Sequence, residues 1–469
     1  MTFTHSFHPS VLREYDVRGV VGDTLSVADA FAVGRCFGSV VTRAGGRRVA
    51  VGCDGRLSSP ELEPALVGGL MASGMTVLRI GCGPTPMLYY TSVKEASDGA
   101  VMVTGSHNPP DHNGFKMMLR GKPFYGEAIR ALGRMAAAGD VVAEAVGCER
   151  PLAMGEAYVA RLIEGWDGGD RGLSVVWDNG NGAAGGILAT LLDRLPGKHV
   201  LLNGTIDGDF PAHHPDPTVP KNLEQLVAEV RARGADLGVA FDGDADRIGI
   251  VDDTGSILFG DQLMVLFARD VLGRIPGATI IADVKASQVL FDEIARLGGR
   301  PLMWRTGHSL IKAKMAETGA PLAGEMSGHI FFAERWYGFD DALYAAIRLL
   351  GVLGRYGCRL SELRQALPQA VNTPELRFPV PEERKFAIVD EVASRLRVRR
   401  TTFTDIDGVR VRTPDGWWLL RASNTQAVLV ARVEAKDDAG LERLKAVLIA
   451  ELGASAVGTP NFVAAESGH

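Results

Sequence analysis

The sequence predicts an α/β protein of three related units followed by an α+β unit, four domains in all. Three observations carry this. At 469 residues the chain is too long for a single hydrophobic core. A β-branched run, a glycine- or aspartate-rich loop and an apolar-periodic helix recur along its first three quarters, the alternation of a mixed, mainly parallel sheet. After a stretch holding Pro368, Pro374, Pro379 and Pro381, strands follow one another across short turns, as in an antiparallel sheet.

Residues 28–41 carry a helical pattern, residues 49–52 a strand, and Cys53-Asp54-Gly55-Arg56 a loop before a helix from about Pro60 to Gly74. A strand at 76–80 enters Gly81-Cys82-Gly83-Pro84-Thr85-Pro86, a turn ahead of another helix. The apolar lead-in Val101 and Val103 stops at Thr104-Gly105, and Pro109-Pro110 forbids a regular helix or inner strand, so Ser106 stands on a stiff loop. The grammar repeats at 173–177 with Asp178-Asn179-Gly180-Asn181-Gly182, and at 279–282 with Asp283-Val284-Lys285. Units of about 100 to 150 residues are the usual domain size. Residues 368–381 read as a linker. Beyond it come a helix at 386–396, strands at 409–412, 417–420 and 428–433, and a helix at 440–452.

With 46% hydrophobic and 23% charged residues the composition is that of a soluble globular protein. A net charge of -6 and a pI near 6.0 argue against general nucleic-acid binding, which needs a basic surface. No apolar run follows a basic start, so no signal peptide is expected. The most apolar later segment, 342–351, is interrupted by Arg348 and too short to span a bilayer, so no membrane association is expected. Cys36, Cys53, Cys82, Cys148 and Cys358 lie far apart without C-x-x-C spacing, which suggests a reduced cytoplasmic location.

Besides Ser106, three loops carry chemistry. Asp242-Gly243-Asp244-Ala245-Asp246-Arg247 lies between strands at 237–241 and 248–251, and its alternate carboxylates project to one side. Such a cluster repels itself without a cation, and oxygen-only ligands select a hard ion such as Mg²⁺. An EF-hand is excluded, since Arg247 stands where Gly is required and Asp253 where Glu is. A solvated acidic turn is the plain alternative. Gly324-Glu325-Met326-Ser327-Gly328-His329 alternates polar side chains, so Glu325 and Ser327 can grip sugar hydroxyls together; a capped turn is the plainer reading. Arg421-Ala422-Ser423-Asn424-Thr425, with backbone N–H groups free, suits an anion, or is a polar hairpin tip. Tyr15 and Arg18 read on position alone as packing and surface charge. His308 reads as a solvated loop histidine.

In this order, one per unit, the four loops resemble those of the α-D-phosphohexomutase family, and the likeness covers essentially the whole chain. Thr104-Gly105-Ser106-His107-Asn108-Pro109 is similar to its phosphoserine loop, Asp242 to Arg247 to its metal loop, Gly324 to His329 to its sugar loop, and Arg421 to Thr425 to its phosphate loop. The resemblance implies four units around a central cleft, at 1–151, 152–253, 254–367 and 368–469. It implies a reversible transfer of phosphate between C1 and C6 of a hexose, with Ser106 as phosphoryl carrier and a hexose 1,6-bisphosphate as intermediate and activator. Mg²⁺ would be held by Ser106, Asp242, Asp244 and Asp246. By family position, Lys116, Arg18, His107, His308 and His329 are the candidates for catalysis. Lys116 is the expected base, desolvated beside the phosphoserine, and Arg18 a charge stabiliser. Tyr15, Arg247, Lys285, His308, Glu325, Ser327, His329, Arg421, Ser423, Asn424 and Thr425 would bind substrate.

Met326 resembles the phosphomannomutase/phosphoglucomutase branch, whereas the phosphoglucosamine branch usually has Gln there. The expected partners are small hexose phosphates and the expected state a monomer. The alternatives are a phosphoglucosamine mutase, a Mg²⁺-dependent sugar-phosphate hydrolase, which needs no separate phosphate clamp, and a non-catalytic phosphosugar sensor, which does not need Ser106 or Lys116.

Overall fold

Alternating strands and helices build three sheets of one design in the computed structural model, which describes residues 3–142, 145–169 and 171–458. The first sheet contains β1 (Val17–Val20), β2 (Arg48–Cys53), β3 (Thr76–Cys82), β4 (Gly99–Val103), β5 (His112–Leu119), β6 (Lys122–Pro123) and β7 (Cys148–Pro151). Its order is β1-β5-β4-β2-β3-β7, with β6 on β5. The second contains β8 (Leu173–Asp178), β9 (Gly197–Leu202), β10 (Leu237–Phe241), β11 (Ile248–Asp252) and β12 (Ile257–Leu258), ordered β12-β11-β10-β8-β9. The third contains β13 (Thr279–Asp283), β14 (Arg300–Trp304), β15 (Leu322–Gly324) and β16 (Ile330–Phe332), ordered β14-β13-β15-β16.

A four-strand motif recurs in all three: three parallel strands, the last of which turns back into an antiparallel partner. It reads β3-β2-β4-β5, then β9-β8-β10-β11, then β14-β13-β15-β16. The turn-back loop lies at the carboxyl end of a parallel strand, the side on which open α/β sheets bind ligands. Ser106, Asp242 to Arg247 and Glu325 to His329 occupy these three equivalent loops. The sheets are mixed because each parallel core ends in an antiparallel edge.

The fourth sheet is antiparallel throughout. It contains β17 (Val371–Asn372), β18 (Leu376–Pro379), β19 (Phe403–Thr404), β20 (Val409–Arg412), β21 (Gly416–Ala422) and β22 (Val428–Ala435). Helices Lys385–Val398 and Asp438–Ala454 pack their apolar residues against it. Here the expected linker at 368–381 is corrected, since β17 and β18 both lie inside it and pair with β22. Prolines are tolerated there because Pro379 closes an edge strand.

One hydrophobic cluster runs through the first three units, joining Met102, Trp177, Phe267 and Tyr344, whereas the fourth keeps its own around Trp418 and Leu448. The apolar segment 342–351 lies in the buried helix Ala342–Tyr356. Its Arg348 is fully buried between Asp270 at 2.9 Å and Glu334 at 2.6 Å. No described helix is long and apolar enough to cross a membrane.

Candidate active site

Ser106 follows β4 in a left-handed conformation, φ +50°, which costs a non-glycine residue about 1–3 kcal/mol and persists only where the surroundings enforce it. The enforcement is visible. The Asp54 carboxylate, at the end of β2, accepts from the Thr104 hydroxyl at 2.8 Å and from Gly105 N–H at 3.1 Å. The fully buried Arg56 guanidinium donates to the carbonyls of Ser106 at 2.7 Å, Asn108 at 2.6 Å, His112 at 2.9 Å and Pro109. Arg18 adds bonds to Gly105 O at 3.2 Å and to the Asn108 side chain, and is itself held by Asp16. A guanidinium forked onto carbonyls stiffens a loop in a way that a lysine cannot.

So fixed, the Ser106 hydroxyl donates to Asp242 Oδ2 at 2.8 Å and lies 3.3 Å from His107 Nδ1. Burial, with Arg247, Arg18 and Lys116 around it, pushes His107 well below the usual histidine range, so its ring is neutral. The two loops can meet because position 243 is glycine: a Cβ there would come within 2.5 Å of the Ser106 carbonyl.

Asp242, Asp244 and Asp246 are buried with carboxylate oxygens all within 4.8 Å of one another. Asp242 Oδ1 also accepts from the N–H groups of Asp246 at 3.0 Å and Arg247 at 3.1 Å, which closes the loop on itself. Burial first, and then Asp244 and Asp246, push Asp242 well above the carboxylate range. Asp244 Oδ1 and Asp246 Oδ1 are buried without a hydrogen-bond partner. Orphaned oxygens in an all-oxygen donor set fit a hard divalent cation.

Lys116 from β5 bridges this cluster, 2.7 Å from Asp244 and also paired with Asp246. Burial works against its charge, but Asp244, Asp246 and Asp242 outweigh that and raise its pKa above the ordinary lysine value. The expectation of a neutral lysine base is therefore corrected: the ammonium is locked by carboxylates. Arg247 Nε donates to His329 Nε2 at 3.0 Å, turning the other ring nitrogen to Asp340 at 3.1 Å. Asp340 also takes Lys312 at 2.8 Å, and His308 stacks on His329 with centroids 5.4 Å apart. His308 opens helix His308–Thr318 rather than sitting on a free loop, and burial followed by Lys312 pushes it well below the histidine range.

Glu325 and Ser327 do face one way, with the Ser327 hydroxyl 3.4 Å from Glu325 Oε2. The other Glu325 oxygen accepts from Gly307 N–H. Asp283, at the end of β13, accepts from Met326 N–H at 3.2 Å and the Thr306 hydroxyl at 3.0 Å, repeating for this loop what Asp54 does for the serine loop. Burial pushes Asp283 up to about 6 against the pull of Lys285. Lys285 in turn pairs with Glu375 at 2.9 Å.

In the fourth unit, Arg421 projects from β21 rather than from the loop, and Asp407 holds it at 3.0 Å. The expectation of free backbone N–H groups is corrected. Ser423 Oγ accepts from Thr425 N–H at 3.3 Å and Gln426 N–H at 3.2 Å. Asn424 donates to the Tyr15 hydroxyl at 2.6 Å, and Tyr15 donates to Thr306 O at 2.7 Å, so Tyr15 ties the first, third and fourth units together. Its ring lies 6.1 Å from His308. A continuous chain of contacts thus links Ser106 and the acidic loop, through His329, His308 and Tyr15, to Asn424. Sequence reasoning missed Asp54, Arg56, Asp340, Asp407 and Glu375. For Asp54 a signal existed, since Asp283 ends the equivalent strand.

Four family descriptions match the chain in series: phosphoglucomutase/phosphomannomutase alpha/beta/alpha domain I over residues 10–140, domain II over 156–255, domain III over 259–371 and the C-terminal domain over 375–451. A phosphomannomutase/phosphoglucomutase of Pseudomonas aeruginosa is 47% identical, covering 95% of this chain and 96% of that one. A phosphoglucomutase of Neisseria gonorrhoeae is 44% identical, covering 93% and 95%. The crystal structure of a phosphoglucomutase/phosphomannomutase family protein from Burkholderia thailandensis superposes with a TM-score of 0.91 at 44% identity, covering 97% of this chain and 99% of that one.

Proposed function

The chain belongs to the phosphoglucomutase/phosphomannomutase family, and from that premise we propose that it moves phosphate reversibly between C1 and C6 of glucose and mannose phosphates. The observation that carries the reading is the 2.8 Å bond from the Ser106 hydroxyl to Asp242, which puts a serine from one unit on the acidic loop of another.

Ser106 carries the phosphoryl group. The free 6-hydroxyl of a hexose 1-phosphate attacks the phosphorus, the P–Oγ bond breaks, and a hexose 1,6-bisphosphate forms. After the sugar turns round, Ser106 takes back the phosphate at C1. Asp242, Asp244, Asp246 and an oxygen of the phosphoserine would hold Mg²⁺, which when bound neutralises phosphoryl charge. Arg18 and Lys116 add fixed positive charge at the serine. The Lys116 ammonium suits proton donation to the leaving oxygen, and neutral His107 and His308 suit proton acceptance, with His329 oriented by Arg247. Arg421, Ser423, Asn424 and Thr425 clamp the distant phosphate, with Tyr15, Arg247 and Lys285 lining the space between. Glu325 and Ser327 grip O3 and O4, whose places interchange when the sugar turns round.

We take the units at 1–151, 152–253, 254–367 and 368–469, the last eleven residues lying outside those described. We take the protein to be monomeric and cytoplasmic, with the bisphosphate as activator.

The test is incubation with glucose, mannose and glucosamine 1-phosphates, Mg²⁺ and trace bisphosphate, followed by phosphorus NMR. Glucose and mannose 6-phosphates are expected at rates within about a hundredfold, near 3 kcal/mol in barrier, since a grip on O3 and O4 ignores the C2 epimer. Chelation of the metal should stop turnover. Release of inorganic phosphate would instead mark a hydrolase, and turnover of the glucosamine phosphate alone would mark the other branch.

A further inference from the structure

Two of the five cysteines are neighbours in space although 29 positions separate them in sequence. β2 and β3 run parallel, and Val51 pairs with Arg79 while Gly52 pairs with Gly81, so Ile80 is an extra residue in β3. Gly81 takes φ +76° at this bulge. The extra residue brings Cys82 rather than Gly81 opposite Cys53. Residues in register on adjacent strands point to one face, about 4.8 Å apart along the hydrogen-bond direction. That falls inside the Cα separation of about 4.4 to 6.8 Å that a disulfide spans. Neither cysteine is in a disulfide, and the neighbouring Cys53 thiol lowers the Cys82 pKa below the ordinary thiol value. Cys82 is exposed and Cys53 half-buried, so solvent reaches one partner and the other lies behind it.

The residues just beyond each cysteine give the pair its interest. Cys53 precedes Asp54 and Arg56, the supports of the serine loop. Cys82 precedes Gly83, whose N–H donates to Cys53 O at 3.0 Å, and Thr85, whose N–H donates to Asp244 O at 2.9 Å and whose hydroxyl donates to the Asp244 carboxylate. The pair stands at the root of both loops that meet at Ser106.

We propose that Cys53 and Cys82 are a reversible oxidation site, closing to an intramolecular disulfide with a peroxide as oxidant and shifting the serine and acidic loops when they do. The Cys82 thiolate attacks the peroxide, forming S–O as O–O breaks, and the departing hydroxide takes up the proton that the thiol had released and leaves as water. The Cys53 sulfur then attacks the Cys82 sulfenic acid, forming S–S as S–O breaks, and its proton leaves with the hydroxide as a second water. Two electrons pass from the sulfur pair to the peroxide, and a thiol reductant reverses the change. A disulfide partly open to solvent is of the labile kind.

The experiment treats the full-length protein with hydrogen peroxide and digests it without reduction for mass spectrometry, with turnover followed in parallel. The expected result is a peptide linking Cys53 to Cys82, a severalfold fall in turnover, and recovery of both with dithiothreitol. Cys82→Ser should keep basal turnover and lose the sensitivity, whereas Cys36→Ser should keep both. Sulfinic acid on Cys82 with Cys53 still free, or a link between two chains, would overturn the site. A linked peptide with unchanged turnover would overturn its coupling to the loops. The linkage does not depend on the proposed activity, and a protein inactive before oxidation counts against that activity alone.

Discussion

The serine loop and the loop at 421–425 close the two ends of the proposed site and are built in opposite ways. Around Ser106 the backbone carbonyls are bolted from outside by Arg56, and the loop entrance by Asp54, both buried. Around Asn424 the loop is held by its own Ser423 hydroxyl and by one contact each from Tyr15, Arg13, Arg377 and Lys385, with Thr425 and Gln426 exposed. The first region adjoins a core shared with two neighbouring units, whereas the second has a core of its own and meets the third unit in a small cluster of Trp417 and Leu419 with Val284. Bond making tolerates little misplacement of the reacting atom, whereas a clamp that must receive either end of a turning sugar gains from looser ties.

The largest effect should come from Ser106→Ala, which removes the proposed phosphoryl carrier. Turnover should fall by roughly four orders of magnitude or more, with an unchanged melting curve, because the hydroxyl touches only Asp242 and His107. Arg56→Met tests the bolt. It takes the guanidinium donor from the Ser106, Asn108, Pro109 and His112 carbonyls, of which Pro109 keeps the His112 N–H, and leaves Asp54 without its cation, so denaturant titration should show a loss of about 3–5 kcal/mol. Arg56→Lys should recover little of it, since one ammonium cannot reproduce the fork. If both variants proved as stable and active as the parent, the contrast between the two loops would be lost.

Tyr15→Phe probes the looser end. Two hydrogen bonds disappear, each worth about 1 kcal/mol, so KM for the sugar phosphate should rise up to about thirtyfold with kcat little changed. Thr425→Ala should move least, within about 0.5 kcal/mol of stability and a few-fold in KM, because the residue is exposed and its hydroxyl makes only a 3.5 Å contact with the Ser423 hydroxyl. A larger kcat effect from Thr425 than from Arg56 would reverse the comparison.

The short-range features were legible. Alternating strands and helices, the Thr104-Gly105-Ser106 turn, the acidic trio and the Glu325/Ser327 pair depend on local backbone preference and spacing, and they stand where their residues implied. The ties between them were not. Arg56 looked like a loop arginine, Asp407 lay in no motif, and the prolines at 368–381 outweighed the apolar residues of β18, whose burial depends on β22. Lys116 could be placed beside the serine but not assigned a charge state, since that is set by Asp244 and Asp246, well over a hundred positions away.

By itself, then, the sequence determined which segments carry reactive groups and which kind of sheet each enters, because both depend on neighbours a few residues apart. Only the tertiary structure decided that the three turn-back loops are equivalent, which oxygens stay orphaned, and which cations are pinned. Those outcomes rest on desolvation and ion pairing between groups that the chain brings together only after all four sheets have formed.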